Sequence, residues 1–243
     1  MKSPGDQTFP TTSWSLIRQA ANLDAPEYRA ALASLCEAYW IPLYAFLRRS
    51  GRSNEDAEDL VQGFFARLLE ANRLEQMTPE RGSFRGFLLV ALKNFVSTAR
   101  TMQHAQKRGG GHPHLPFTLD LDAGDRSYRL ESAAERTPDE TYERRWALTL
   151  LSNVLSRLRA ECEKAGEHGV FQRLEGFLPG GLQQDSYDTV ASRLDMTAGA
   201  VKVAVHRLRM RYRELLRAEI ATLVNDASDV DDELRYLHGV LSR

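Results

Sequence analysis

The chain has 243 residues, 42% of them hydrophobic and 27% charged, the composition of a globular protein with one large core or two smaller ones. Its 32 Lys and Arg against 33 Asp and Glu give a net charge of −1, so any affinity for a polyanion must come from local segregation of charge. No uninterrupted apolar run reaches the roughly 18–20 residues of a membrane span, and the segment from Met1 has no apolar signal core, so a cytoplasmic location is expected. Cys36 and Cys162 are too far apart and too few for a disulfide framework or a cysteine zinc site.

Helical periodicity dominates, and no alternating strand pattern appears. From Tyr28 to Arg49 the apolar residues Leu32, Leu35, Cys36, Tyr39, Trp40, Leu43 and Leu47 recur every three or four positions. Gly51 ends that helix. Ser53-Asn-Glu-Asp56 starts the next, with a hydroxyl cap and acids in the first turn, and Leu60, Val61, Phe64, Phe65, Leu68 and Leu69 follow. A polar loop from about 72 to 83 leads to a third helix on which Phe84, Phe87, Leu88, Ala91 and Phe95 share a face. The Gly109–Pro116 cluster and the mixed-charge stretch to about 136 break the pattern and read as a linker. Order restarts at Thr137-Pro138-Asp139-Glu140, with Thr as cap, Pro at the first helical position and Glu at the third. A long helix follows, then a turn at Pro179-Gly-Gly181, two short helices and an acidic tail. The expected fold is all-α, in two helical domains joined by a flexible linker. Its expected divisions are an extension (1–25), a first domain (26–108), the linker (109–136), a second domain (137–218) and the tail (219–243).

The most informative segment is 187–216. Asp188 to Leu194 reads as a short helix, Asp195-Met196-Thr197 as a tight turn, and Thr197 as the cap of a second helix. On that helix Val201, Ala204, Val205, Leu208 and Tyr212 fall on one face, and Lys202, Val203, His206, Arg207 and Met210 on the other. This is a helix-turn-helix pattern, whose second helix fits a major groove about 12 Å wide. Between 199 and 217 it carries Lys202, Arg207, Arg209, Arg211, Arg213 and Arg217 against the single acid Glu214, which suits phosphate contact. In the first domain, an acidic helix start (Glu55, Asp56, Glu58, Asp59) precedes a basic region (Arg81, Arg85, Lys93, Arg100, Lys107, Arg108) interleaved with Phe84, Phe87 and Phe95. That order suits a module holding a protein by one face and unstacked nucleic acid by another.

On these motifs the sequence resembles a bacterial RNA polymerase sigma factor of the extracytoplasmic-function group in the sigma-70 superfamily. Asp56-Ala-Glu58-Asp59-Leu60-Val61-Gln62-Gly-Phe64-Phe65 is similar to the region 2 signature that docks on polymerase. Phe84 to Asn94 and the basic stretch to Arg108 resemble the segment that melts and reads the −10 element. Tyr187 to Arg211 resembles the region 4 module that reads the −35 element. The resemblance implies recruitment rather than catalysis, with no cofactor. It implies polymerase contact by Asp56, Asp59 and Gln62, supported by Leu60 and Phe65. For DNA it implies Arg81, Arg85, Lys93, Asn94 and Arg100 at −10, and Lys202, Val203, His206, Arg207, Arg209 and Arg211 at −35. The loop 72–83 would hold a flipped base. The N-terminal extension, the acidic tail, and Val203 and Val205 in the −35 helix depart from the minimal pattern.

The partners implied are polymerase core and promoter DNA. An anti-sigma factor is one candidate regulator; the acidic tail, lying on the basic helix of the second domain, is another. The alternative is a stand-alone helix-turn-helix regulator, which explains 187–217 and leaves the region 2 motif without a role. His104, His112 and His114 are chemically adequate for a metal but sit around a Gly-Pro breaker with no Cys near, so a polar linker is expected and no metal. No nucleophile elbow, phosphate loop or catalytic acid pair is present, and no enzyme is expected.

Overall fold

A computed structural model describes residues 13–22, 24, 26–70, 74, 78, 82–105, 136–179, 185–224 and 226–243, without the side chains of 69–70 and 99–105. The described residues contain helices and no strand. In chain order these are α1 (Trp14–Ala21), α2 (Tyr28–Arg49), α3 (Asn54–Glu70), α4 (Phe84–Ala105), α5 (Pro138–Lys164), α6 (His168–Leu174), α7 (Tyr187–Leu194), α8 (Ala198–Ala221) and α9 (Val230–Ser242). Short 3₁₀ turns occur at Glu175–Phe177 and Ala227–Asp229.

The helix starts follow the chemistry of their caps. Ser53 Oγ accepts from Asp56 N at 3.1 Å, and Glu55 and Asp56 sit in the first turn of α3, where the helix dipole favours them. At α5 the capping box closes in both directions. Glu140 N donates to Thr137 Oγ1 at 3.2 Å, and Thr137 N donates to Glu140 Oε2 at 2.9 Å. Those bonds from Thr137 hold the Glu140 carboxyl below its ordinary range. α2 ends where Gly51 takes a positive φ of 85°, a conformation costly for other residues.

The chain divides into two compact units. One comprises the described residues up to Leu150, from 13 onward, together with Ala221–Arg243. In it α2 is the central element, with Leu32, Leu35, Tyr39, Trp40, Leu43, Tyr44 and Leu47 at most 4% exposed. This helix is long and apolar enough to cross a membrane, with a mean hydropathy of 1.4 over its most apolar window, but 72% of that window is buried, as in a core helix. Tyr39 of α2 meets Phe84 of α4 edge-on at 5.4 Å, and Phe64 of α3 meets Phe95 of α4 at 5.9 Å, so aromatic contacts knit the helices together.

α1 completes this core. Trp14, Ile17, Ala20 and Ala21 are buried, and Trp14 Nε1 donates to Leu223 O at 3.0 Å. The segment treated from sequence as an extension therefore contains a packed helix. The first half of α5 belongs here too, burying Tyr142, Trp146, Ala147 and Leu150. The division between units falls at 150/151, inside α5; the segment 109–136 expected as a linker lies, apart from residue 136, outside the described residues.

The other unit is Leu151–Ile220. Its larger core joins Val154, Leu158, Cys162, Phe171, Leu178, Tyr212 and Leu215; a second cluster joins Leu174, Val190, Ala191, Val201 and Val205. This second cluster holds α7 against α8. Ser186 caps α7 by accepting from Thr189 N at 3.2 Å, and Asp195 ends it with a left-handed φ of 53°. Thr197 Oγ1 then accepts from Ala200 N at 3.1 Å at the start of α8.

Candidate functional site

In the 151–220 unit, α8 has one face in the core and one in solvent. Val201, Val205 and Tyr212 are at most 2% exposed, while Lys202, Val203, His206, Arg207 and Met210 are exposed. The two faces follow the 100° periodicity of the sequence, and they separate two valines only two positions apart. Val205 is core; Val203 is 51% exposed. Lys202 lies 5.7 Å over the ring of Tyr187, which itself stacks on Phe177 at 4.7 Å. Lys202, the cation nearest the start of α8, thus shares its face with an aromatic pair.

Two exposed cations expected on DNA are bonded to other groups of the same unit. Arg209 donates from Nε and Nη2 to the carbonyl of Phe177 at 3.0 and 2.9 Å. Arg211 grips Glu161 with two bonds of 2.8 and 2.9 Å and reaches Glu214 at 2.8 Å, and these bonds donated to carboxylates raise its pKa above the ordinary arginine value. The same bonds lower the pKa of Glu161. Both arginines sit on flanks of α8 that meet other elements of the unit, which a count of charges cannot register. Beside them a groove of about 470 Å³ runs along α5, α6 and α8, lined by Leu158, Cys162, Phe171, Leu174, Met196 and Leu208 and edged by Glu167 and Arg207.

In the other unit, Asp56 and Asp59 are exposed at the start of α3, and Leu60 and Gln62 are half-buried. Phe65 is 2% exposed: it packs in the core and presents no surface for a partner. On α4, Asn94 and Lys93 are exposed. Lys93 pairs with Asp139 and lies 5.6 Å over the Phe46 ring. Asn94 joins Phe64, Arg67 and Phe95 around a shallow hollow of about 100 Å³. Arg81, the side chains of Arg100 and His104, most of the loop 72–83, and His112 and His114 lie outside the described residues. Among the described residues, no cluster of three or more His, Cys, Asp or Glu is arranged to hold a metal ion.

Arg85 departs most from expectation. Its guanidinium lies between the rings of Trp146 and Tyr236, at 4.3 and 4.7 Å, and the side chain is only 11% exposed. Nη1 and Nη2 bond Glu233 at 2.5 and 3.3 Å, and Nε faces Glu143 at 3.2 Å. Burial opposes the charge on Arg85, but the two carboxylates outweigh it and raise its pKa. Tyr142 donates to the Arg85 carbonyl at 2.9 Å, and burial raises the Tyr142 phenol well above its usual value. A residue assigned to DNA is thus enclosed by the protein's own side chains.

Glu233 and Tyr236 belong to α9, so the acidic tail anchors in the unit of α2–α4, where Arg144 Nη1 also donates to Leu241 O at 2.8 Å. These contacts of the tail all lie within its own unit. Leu237 of α9 is buried, and Leu234 and Leu241 are half-buried. Glu219, counted from sequence with the acidic tail, is 1% exposed on α8 and pairs with Arg157 at 3.1 Å. Sequence reasoning missed this enclosure because its parts lie on α4, α5 and α9, far apart in the chain; the available signal was the concentration of Trp, Tyr and Glu on α5 and α9.

Residues 35–104 match the family model for sigma-70 region 2. The match spans most of α2, all of α3 and nearly all of α4, including Asp56 and Asp59. No curated protein and no solved structure matches the chain.

Proposed function

We propose that this chain is a sigma factor of the extracytoplasmic-function type, which binds RNA polymerase core through α3 and directs promoter-specific initiation at −10 and −35 elements. The observation that carries the reading is the region 2 match over 35–104, within which the acidic start of α3 is solvent-exposed. Exposed carboxylates at Asp56 and Asp59 suit a basic docking surface, with Gln62 and the half-buried Leu60 beside them. On the DNA side, Asn94 and Lys93 on α4 serve the −10 element. Lys202, Val203, His206 and Arg207 on α8 serve the −35 element, with basic side chains meeting phosphates and base edges. Arg85, Arg209 and Arg211 would first have to leave their internal partners, so they are secondary contributors. The chain works in the cytoplasm, and it acts by recruitment rather than by catalysis.

The test is abortive initiation by bacterial core polymerase on a promoter library, with and without the full chain. Initiation that depends on the chain and falls at least tenfold in Asp56→Ala/Asp59→Ala supports the reading. DNA binding without core-dependent initiation overturns it in favour of a stand-alone helix-turn-helix regulator. What favours that second reading is the separate core that joins α7 to α8.

A further inference from the structure

Val203 is an apolar side chain on a polar, cationic surface. It is 51% exposed, with Lys202, His206 and Arg207 exposed around it, and it adds nothing to the core that Val201 and Val205 form on the opposite face. It stands six residues beyond the Thr197 cap, roughly 9 Å along the helix, within the first two turns of α8. Those turns are the part of a recognition helix that meets base edges in a groove about 8.5 Å deep. Met210, the other large apolar side chain exposed on this face, lies roughly 20 Å from the cap, beyond that reach.

We infer that Val203 is a specificity-determining residue that packs on the 5-methyl group of a thymine in the major groove. The inference rests on the proposed promoter-binding role of α8 and deepens it. The floor of the major groove presents hydrogen-bond donors and acceptors at every base pair, and one prominent apolar group, the thymine methyl. A valine has no polar atom to return. Placed on a donor or acceptor it strips water without compensation, which disfavours that base; placed on the methyl it buries apolar surface from both sides. The surrounding cations supply attraction to any phosphate backbone, whereas Val203 supplies a preference among bases. The −35 element therefore carries an A·T pair, with thymine on the strand facing Val203.

The test uses the full chain with bacterial core polymerase. A duplex is selected from a randomised pool, and each thymine in its upstream element is replaced singly by deoxyuridine, which removes only the methyl. One position is expected to weaken binding about fourfold, the value of one buried methyl-sized contact. Cytosine placed at that position binds less well, and 5-methylcytosine recovers part of the loss. Val203→Ser, a change at an exposed site that leaves both cores intact, abolishes the thymine–uracil difference while binding keeps its dependence on salt. If no thymine is sensitive to methyl removal while Lys202→Ala still weakens binding, the inference fails and the promoter-binding role stands. If no duplex is selected, or Lys202→Ala and Val203→Ser are both without effect, that role fails as well. If Val203→Ser instead weakens association with core polymerase, the side chain serves a protein contact and the inference is overturned.

Discussion

Replacing Glu233 by Gln removes the carboxylate that holds Arg85 through two bonds, at 2.5 and 3.3 Å, while keeping the size of the side chain. Both partners are largely shielded, at 11% and 15% side-chain exposure. Leaving a buried charge without its partner costs about 3–5 kcal/mol. Here Arg85 keeps Glu143 at 3.2 Å and the faces of Trp146 and Tyr236, and Gln still offers one acceptor. The expected loss is therefore about 2 kcal/mol, or about 4–8 °C in Tm for a unit of this size. A control lies on the same helix. Asp232 pairs with Arg235, but both are mostly exposed, at 68% and 78%, so Asp232→Asn is expected to change stability by less than about 0.5 kcal/mol.

Tryptophan fluorescence is a suitable readout, because the chain's three tryptophans, Trp14, Trp40 and Trp146, all belong to this unit. Thermal melts of the full chain at low salt and at about 1 M salt separate the two kinds of pair, since screening at a Debye length of about 3 Å removes exposed attractions first. Equal melts for the two variants would refute the enclosed Arg85, as would a Glu233→Gln deficit that vanishes at high salt.

Three further outcomes follow from local chemistry. Asp195 occupies the left-handed region at φ 53°, so Asp195→Gly is expected to be neutral to stabilising in chemical denaturation, and Asp195→Val to lose about 1–2 kcal/mol. Burial raises the Tyr212 phenol from 10.0 to about 12. Its contribution is complete below pH 10 and is lost as pH rises to 12, because the unfolded chain releases that proton first; about 2 kcal/mol is at stake, and Tyr212→Phe should flatten that part of the pH–stability curve. Both thiols are buried with raised pKa, Cys36 1% and Cys162 7% exposed. Native protein at mildly alkaline pH should therefore label slowly with a disulfide reagent, at Cys162 beside the groove before Cys36, and faster labelling at Cys36 would contradict the packing.

Much of the helical frame was legible in the sequence because its signals are local. The Thr137–Glu140 box and the Ser53 cap involve atoms three residues apart, and the two faces of α8 follow from one period. What escaped was set by partners distant in the chain. Arg85 looked like a free cation until α5 and α9 were seen to close around it, and Arg211 until Glu161 was. Phe65 belongs to an aromatic motif that could face either a partner or the core, and periodicity alone did not choose. α1 could have been read from Trp14, Ile17 and Ala21, but its eight residues are too few to stand without α2 and Leu223.

The unit built around α2 is discontinuous, and synthesis must respect that. Trp14 finds the Leu223 carbonyl, and Arg85 finds Glu233, only after the whole of 151–220 has been translated. The later-starting unit can thus fold on the ribosome while the earlier one still waits for its final helix, with part of its apolar surface open to chaperones and proteases. Clipping anywhere between 221 and 229 would then act on the fold of the segment that matches region 2, more than 100 residues away along the chain.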